Sequence, residues 1–378
     1  MMTTIDWMGK TVSQAAGLHA YVPGKPIAQM LRELGLAESE IEKQVASTVK
    51  LASNENPNGP PPKAILAMQQ VASEVHRYPD GDCFALKQSL AKLHGISNKQ
   101  LLIGNGSNED LELIIRAFAG SGDEVVYSQR AFIVYALATT AAGATGIAVP
   151  EIDGLGHDLV AMAEAVNAKT KVVCIANPNN PTGSLLSTEE LQDFLDALPR
   201  DVVVILDEAY YEYVRFEVAD SIAALRHPGL VISRTFSKAY GLAGCRVGYA
   251  VADAALLSAV NRFREPFNVN MFAQAAAIAA LEDRDWVMAK VDACVAERAR
   301  LEDALNKRGC LPANSFGNFV LLQDKHALEL VKAMEKRGVI LRPLAPYGMA
   351  DMIRVSVGSK AENDKFLSAL DAELLARQ

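Results

Sequence analysis

The stretch Thr235-Phe-Ser-Lys238-Ala-Tyr-Gly-Leu-Ala-Gly-Cys-Arg246 sets one lysine among hydroxyl side chains, follows it with small residues and ends on an arginine. A lysine attacks a carbonyl only after losing a proton, and an unperturbed amine with a pKa of ~10.4 seldom does so at neutral pH. A desolvated or cationic pocket removes that obstacle, so the pattern fits a lysine held where it can form a Schiff base. Taken alone, the same residues also fit a surface lysine in a loop. Three other segments carry groups that such a site would use. Asn105-Gly-Ser-Asn108 opens a helical pattern, so the free N–H groups of a helix start could hold a phosphate there. It lacks a full G-x-G-x-x-G because position 109 is Glu, and a capped strand-to-helix turn fits these residues equally well. Asn177-Pro-Asn-Asn180-Pro-Thr-Gly183 has the prolines and glycine of a rigid turn, on which Asn180 offers a donor and an acceptor. Asp207-Glu-Ala-Tyr210 ends a strongly apolar run, so the Asp207 carboxylate should be desolvated and need a cation. A protonated pyridine nitrogen would serve, and so would a neighbouring lysine.

The elements that must position these groups are legible as short apolar runs: Leu101–Gly104, Glu124–Tyr127, Lys171–Ala176, Val202–Leu206 and Leu230–Ser233. Runs of this length, bounded by turn residues, read as buried strands of a mostly parallel sheet. Between them lie segments of helical period, Asp110–Phe118 and Thr188–Leu198, the second opened by a Ser187-x-x-Glu190 capping box. In an open α/β sheet ligands bind beyond the carboxyl ends of the strands, where all four polar segments fall. After Asn268 the character changes to a long helical stretch, Ala273–Leu305, and strand-like pieces at Phe319–Gln323 and Ile353–Val357. The expected organisation is a large α/β domain over 50–265 and a smaller α+β domain from 1–49 and 266–378.

Composition narrows the function classes. At 378 residues the chain exceeds one ordinary core, and half of it is hydrophobic. A net charge of −8 without like-charge runs argues against nucleic acid or an anionic membrane as partner and favours small molecules. The five cysteines are scattered with no C-x-x-C, and the six histidines form no H-x-x-x-H pair, so neither disulfides nor a metal site is expected. No apolar run approaches the ~18 residues of a membrane span, and Met1–Lys10 lacks a signal-peptide core. The expectation is a cytoplasmic protein.

Taken together, the motifs at Asn177–Gly183, Asp207–Tyr210 and Ser237-Lys238 with Arg246 resemble, in order and spacing, the fold-type I pyridoxal-phosphate (PLP) enzymes of the aminotransferase class I/II family. The resemblance covers nearly the whole chain. It implies that Lys238 binds the cofactor covalently and shuttles a proton, and that Asp207 pairs with the ring N–H. Asn180 and Tyr210 would hydrogen-bond the ring 3′ oxygen, and Phe132 would stack on the ring. Ser107, Asn108, Ser237 and Arg246 would hold the phosphate. Tyr78, in His76-Arg-Tyr-Pro-Asp80, would reach the phosphate of a neighbouring subunit, which makes the expected unit a homodimer. In place of the family's common Pro-Thr before the stacking aromatic the chain has Gln129-Arg-Ala.

Within the family, Tyr21-Val-Pro-Gly24, Leu51-Ala-Ser-Asn-Glu-Asn-Pro57, Ile340-Leu-Arg342 and Ile353-Arg354-Val-Ser-Val-Gly358 are similar to a subgroup acting on a phosphorylated substrate. The resemblance implies that Arg354 anchors anions and that Arg342 and Tyr21 hold the substrate phosphate. The implied exchange links L-glutamate and 2-oxoglutarate with histidinol phosphate and imidazole acetol phosphate. A phenylalanine or tyrosine aminotransferase is the nearest alternative, needing Arg354 but no substrate phosphate. Decarboxylation or β-elimination would use the same lysine. A ligand-sensing regulator of this fold would be expected to add a DNA-binding segment, of which the acidic chain gives no sign.

Overall fold

The computed structural model describes residues 5–18 and 24–377, apart from the side chains of 16 and 17. Its first strand, β1 (Val49–Lys50), pairs in parallel with Val339–Ile340 far along the chain. The next seven, β2 (Leu101–Gly104), β3 (Glu124–Ser128), β4 (Thr145–Val149), β5 (Thr170–Ala176), β6 (Val203–Asp207), β7 (Leu230–Thr235) and β8 (Gly248–Val251), form one sheet in the order β2-β8-β7-β6-β5-β3-β4. β4, β3, β5, β6 and β7 run parallel, while β8 runs against both of its neighbours.

β5 shows why these runs become central strands. Alternate side chains leave a strand on opposite faces. Val172, Cys174 and Ala176 enter one apolar cluster with Leu111, Ile114, Ile115 and Tyr135, and Val173 and Ile175 enter another with Leu191, Phe194 and Leu195. A strand covered on both faces needs no polar side, hence its continuous apolar run. The covering helices are Ser107–Phe118 and Val134–Ala142 on one face, and Leu159–Glu164 and Thr188–Ala197 on the other. The last begins where its capping box places it: Ser187 Oγ accepts from Glu190 N at 3.1 Å, and Glu190 Oε2 accepts from Ser187 N at 2.7 Å.

A smaller antiparallel sheet is built from later strands. β9 (Phe319–Gln323) lies beside the last strand of the chain; β10 (Val339–Ile340) is the partner of β1, and β11 (Arg342–Pro343) and β12 (Met352–Ser356) complete the order β11-β12-β9. The helical stretch expected over 273–305 is two helices, Met271–Glu282 and Arg284–Lys307. Asp283, at φ −105° and ψ 25°, leaves helical geometry and lets the chain turn. The first of the two is alanine-rich because it lies close against the helix Pro62–Val71, with Ala273, Ala276, Ala277 and Ala280 sharing a core with Ala64. No helix among the described residues is long and apolar enough to cross a membrane.

Candidate active site

Gly104, Ala176, Asp207 and Thr235 end β2, β5, β6 and β7, and the chain beyond them encloses a cavity of about 200 Å³. Its lining includes Ser107, Asn108, Phe132, Asn180, Asp207, Tyr210, Ser237, Lys238, Arg246, Arg342 and Arg354. Of the described residues expected from sequence, only Tyr78 is outside this set. Tyr21 lies outside the described residues. Tyr78 is 81% exposed and stacks on Phe267 with ring centroids 4.6 Å apart.

Asp207 forms the floor. Its Oδ2 accepts the Tyr135 hydroxyl proton at 2.8 Å, and its Oδ1 accepts from Ala209 N at 3.2 Å. Among the described residues it has no ion pair, whereas the next residue, Glu208, turns to the other side of the strand and pairs with buried Arg234 at 2.7 Å. Burial pushes the Asp207 carboxyl up to about 6, against the two donors that hold it down. A carboxylate left this way is poised for a cation arriving with a ligand.

Lys238 projects over the same floor. Its Nζ donates to Ser53 O at 3.2 Å and lies 5.9 Å from the centre of the Tyr210 ring. Burial and then the positive charge of Arg354 push its amine down to about 8, so a far larger share is neutral at pH 7 than for a free lysine. That is the electrostatic condition for a nucleophilic amine and a general base.

An anion cradle lies beside these groups. The helix Ser107–Phe118 starts three residues before the stretch expected from periodicity, and the N–H groups of Ser107 and Asn108 that open it have no preceding turn to bond. Gly106 precedes it at φ +81°, where a Cβ would lie 2.3 Å from Arg246 Nη2. A Cβ on Gly248 would lie 2.4 Å from Ser107 N. Both glycines leave room that a side chain would fill. Arg246, itself at φ +60°, extends Nη1 to within 3.4 Å of Ser237 Oγ. Helix start, hydroxyl and guanidinium thus converge on one spot suited to a phosphate.

Arg354 is buried; its Nη1 donates to Asn180 Oδ1, and its Nη2 donates to Ala52 O at 3.0 Å. Arg342 is its register partner on β11, so both side chains leave one face of the small sheet.

Several contributors were not singled out in the sequence. Tyr135 sits one helical turn after Phe132, and that i, i+3 aromatic spacing was the available signal. The Gln129-Arg-Ala departure has its own anchoring. The Arg130 carbonyl accepts from Asn179 Nδ2 at 3.1 Å, and the Arg130 guanidinium donates to Gly154 O at 2.7 Å, which fixes the approach to Phe132. Buried His157 ties two strand ends together, with Nδ1 2.6 Å from Ser128 Oγ and Nε2 2.8 Å from Ala176 O. Its contacts are tertiary and leave no local pattern.

Residues 46–370 match the family model described as aminotransferase class I and II. The chain belongs to this family. It is 48% identical over 367 residues to the histidinol-phosphate aminotransferase of Methylobacillus flagellatus, covering 97% of each chain. It is 47% identical to histidinol-phosphate aminotransferase 2 of Methylococcus capsulatus, over 95% of this chain and 96% of that one. The crystal structure of histidinol-phosphate aminotransferase from Sinorhizobium meliloti in complex with pyridoxal-5′-phosphate superimposes with a TM-score of 0.85 at 28% identity over the whole of both chains. The class I and II aminotransferase fold, a mostly parallel sheet between helices joined to a small antiparallel sheet, is the architecture described above.

Proposed function

We propose that this aminotransferase uses pyridoxal 5′-phosphate to move an amino group between L-glutamate and imidazole acetol phosphate, giving 2-oxoglutarate and L-histidinol phosphate in histidine biosynthesis. The observation that carries the reading is Asp207, a buried carboxylate with no ion pair among the described residues, on the floor of a cavity bounded by a lowered-pKa lysine and an anion cradle.

The residues fit the cofactor. Gly106 and Gly248 keep open the space in front of Ser107 N and Arg246, as a phosphate requires. Ser107, Asn108, Ser237 and Arg246 would hold that phosphate, Asp207 the ring N–H, Asn180 and Tyr210 the 3′ oxygen, and Phe132 one ring face. When bound, the cofactor supplies an aldehyde that condenses with amines and a ring that withdraws electrons from the carbon bearing them. Lys238 supplies the anchoring amine and then takes and returns the proton of the substrate α-carbon, for which a pKa of about 8 suits it. Asp207 keeps the ring nitrogen protonated. Tyr210, pushed up to about 12 by burial, stays protonated and can donate a hydrogen bond.

The paired arginines favour the phosphorylated substrate. Glutamate brings two carboxylates and histidinol phosphate brings a phosphate, each matched to guanidinium forks. Phenylalanine or tyrosine would bring a single carboxylate to the two. Arg354 would anchor the anion of either substrate, the glutamate carboxylate or the substrate phosphate, and Arg342 with Tyr21 would help hold that phosphate.

The working unit in this reading is a homodimer in the cytoplasm. Tyr78 points outward, and Ile65, Leu66, Val75 and Phe84 in the same part of the chain are exposed apolar side chains that a second copy would cover. Residues 50–265 would form the cofactor-holding unit, and 1–49 with 266–378 the smaller one, the helix Met271–Glu282 joining their cores.

The test is a steady-state assay of glutamate formation from 2-oxoglutarate with L-histidinol phosphate, L-phenylalanine or L-tyrosine as donor. The reading predicts that histidinol phosphate gives the highest kcat/KM by about a hundredfold. Equal or better turnover of the aromatic donors would overturn the substrate assignment.

A further inference from the structure

Three successive residues each hold one of the groups assigned above. Ala52 O accepts from Arg354 Nη2 at 3.0 Å, Ser53 O accepts from Lys238 Nζ at 3.2 Å, and Asn54 Nδ2 donates to the Tyr210 hydroxyl oxygen at 2.8 Å. The third contact differs in kind, because it bears on which way a proton points.

Asn54 is buried at 1% exposure in a left-handed conformation, φ +54°, a region few residues besides glycine and asparagine adopt readily. Two residues of the small sheet region fix it. Its N donates to Ser356 Oγ at 2.8 Å, its Oδ1 accepts the Ser356 hydroxyl proton at 3.0 Å, and its carbonyl accepts from Asn318 Nδ2 at 3.0 Å. Ser356 Oγ therefore accepts from the backbone and donates to the amide oxygen, which leaves the amide nitrogen to face Tyr210. A phenol oxygen that accepts from an N–H cannot direct its own proton along the same line. The Tyr210 ring lies edge-on to Phe319, and its hydroxyl opens otherwise toward the cavity.

We infer that Asn54 is a positioning residue that aims the Tyr210 hydroxyl proton into the cavity, at the 3′ oxygen of bound pyridoxal phosphate. The inference rests on the function proposed above. Because Ser356 lies two residues after Arg354 on β12, the same strand that binds the substrate anion also sets the amide that orients Tyr210. Replacing the amide with a carboxylate of equal shape would reverse the contact. Tyr210 would donate to the carboxylate, and the 3′ oxygen would lose a donor that stabilises its anionic form.

The test is a pH titration of the visible band of the full-length protein loaded with pyridoxal phosphate. Wild type, Asn54→Asp, Asn54→Gly and Ser356→Ala are compared, each also in a Tyr210→Phe background. Asn54→Gly keeps the left-handed backbone accessible, and Ser356→Ala leaves Asn54 in place but frees its amide to turn. The titration midpoint is expected to rise by about one pH unit in both Asn54 variants and by a smaller amount in Ser356→Ala. The kcat should fall about tenfold, with the KM for glutamate changed less than about twofold. In the Tyr210→Phe background Asn54→Gly and Ser356→Ala should add nothing, because the hydroxyl they steer is gone, whereas Asn54→Asp should keep only the upward shift that its own charge causes. Midpoints equal to wild type, or an Asn54→Gly or Ser356→Ala shift that persists without the Tyr210 hydroxyl, would overturn the inference. If the wild-type protein develops no visible band with pyridoxal phosphate, the proposed function fails and this inference with it. If it does and turns over, the variants judge the inference alone.

Discussion

Arg342 and Arg354 are register partners across the antiparallel pair β11 and β12, so two guanidinium groups leave one sheet face side by side and line one cavity. Like charges directly opposite on a sheet repel, and the arrangement is favourable once an anion lies between them. Arg342→Gln is expected to raise the KM for histidinol phosphate about ten- to hundredfold, the range for losing a hydrogen bond to a charged group, while the KM for glutamate changes less than about fivefold. Arg354→Gln should weaken both substrates. Steady-state kinetics with each donor reads the difference.

The buried Asp207 carboxylate carries opposite consequences for stability and for catalysis. Its folded-state pKa, about 6, lies above the 3.8 of a free carboxyl, so between those values the folded state binds more protons than the unfolded one. The stability contribution of this group therefore falls as pH rises through that window, and the full penalty is present above pH 6 or so. Asp207→Asn should stabilise the cofactor-free protein at pH 8 by about 1–2 kcal/mol, less whatever the second amide proton loses for want of a partner. The same change should lower kcat at least a hundredfold, because a neutral amide cannot hold the ring nitrogen protonated. Thermal unfolding without cofactor, set beside kinetics with it, checks both signs. Tyr135→Phe removes a donor to Asp207 and should weaken cofactor binding several-fold with little change in fold.

Lys238 offers a direct measure of its electrostatics. In the cofactor-free protein, trace acetylation at Lys238 followed by mass spectrometry should reach half its limiting rate near pH 8, against ~10.4 for an unperturbed lysine. Arg354→Gln removes a positive neighbour and should move that midpoint upward, whereas loss of Glu55, whose charge acts the other way, should move it downward. Lys238→Ala should fold normally and lose turnover by about a thousandfold or more.

These three groups also show what the sequence could and could not convey. Asp207 and Lys238 stand at the ends of apolar runs, and the sheet had to carry them to one edge because parallel strands share a carboxyl end. Helix starts shifted by a few residues, as at Ser107, where Gly106 supplies a positive φ that periodicity does not register. The break at Asp283 was hidden because both flanking segments favour helix, and the turn is imposed by packing of the first against the helix Pro62–Val71. The roles of Asn54 and His157 went unread because each acts through a contact made in three dimensions, to residues 156 and 29 positions away, and that of Tyr135, whose partner is 72 positions away, left only its spacing from Phe132 as a signal.

Tyr78 tests the proposed assembly. If it completes the cofactor site of a partner, Tyr78→Ala and Lys238→Ala should each be impaired alone, yet unfolding and refolding an equimolar mixture should restore activity. Random pairing makes half the dimers mixed, each with one intact site, so recovery should approach about a quarter of wild type. A mixture no more active than the average of its two components would contradict a shared site.

A single half-reaction separates the two substrate assignments most sharply. The protein loaded with pyridoxal phosphate is mixed with L-histidinol phosphate and no acceptor, and its visible absorbance is followed alongside a parallel sample given L-phenylalanine. Histidinol phosphate is expected to abolish the band and release one equivalent of imidazole acetol phosphate per site, with phenylalanine about a hundredfold less effective. A band that phenylalanine discharges readily and histidinol phosphate leaves unchanged would contradict that expectation.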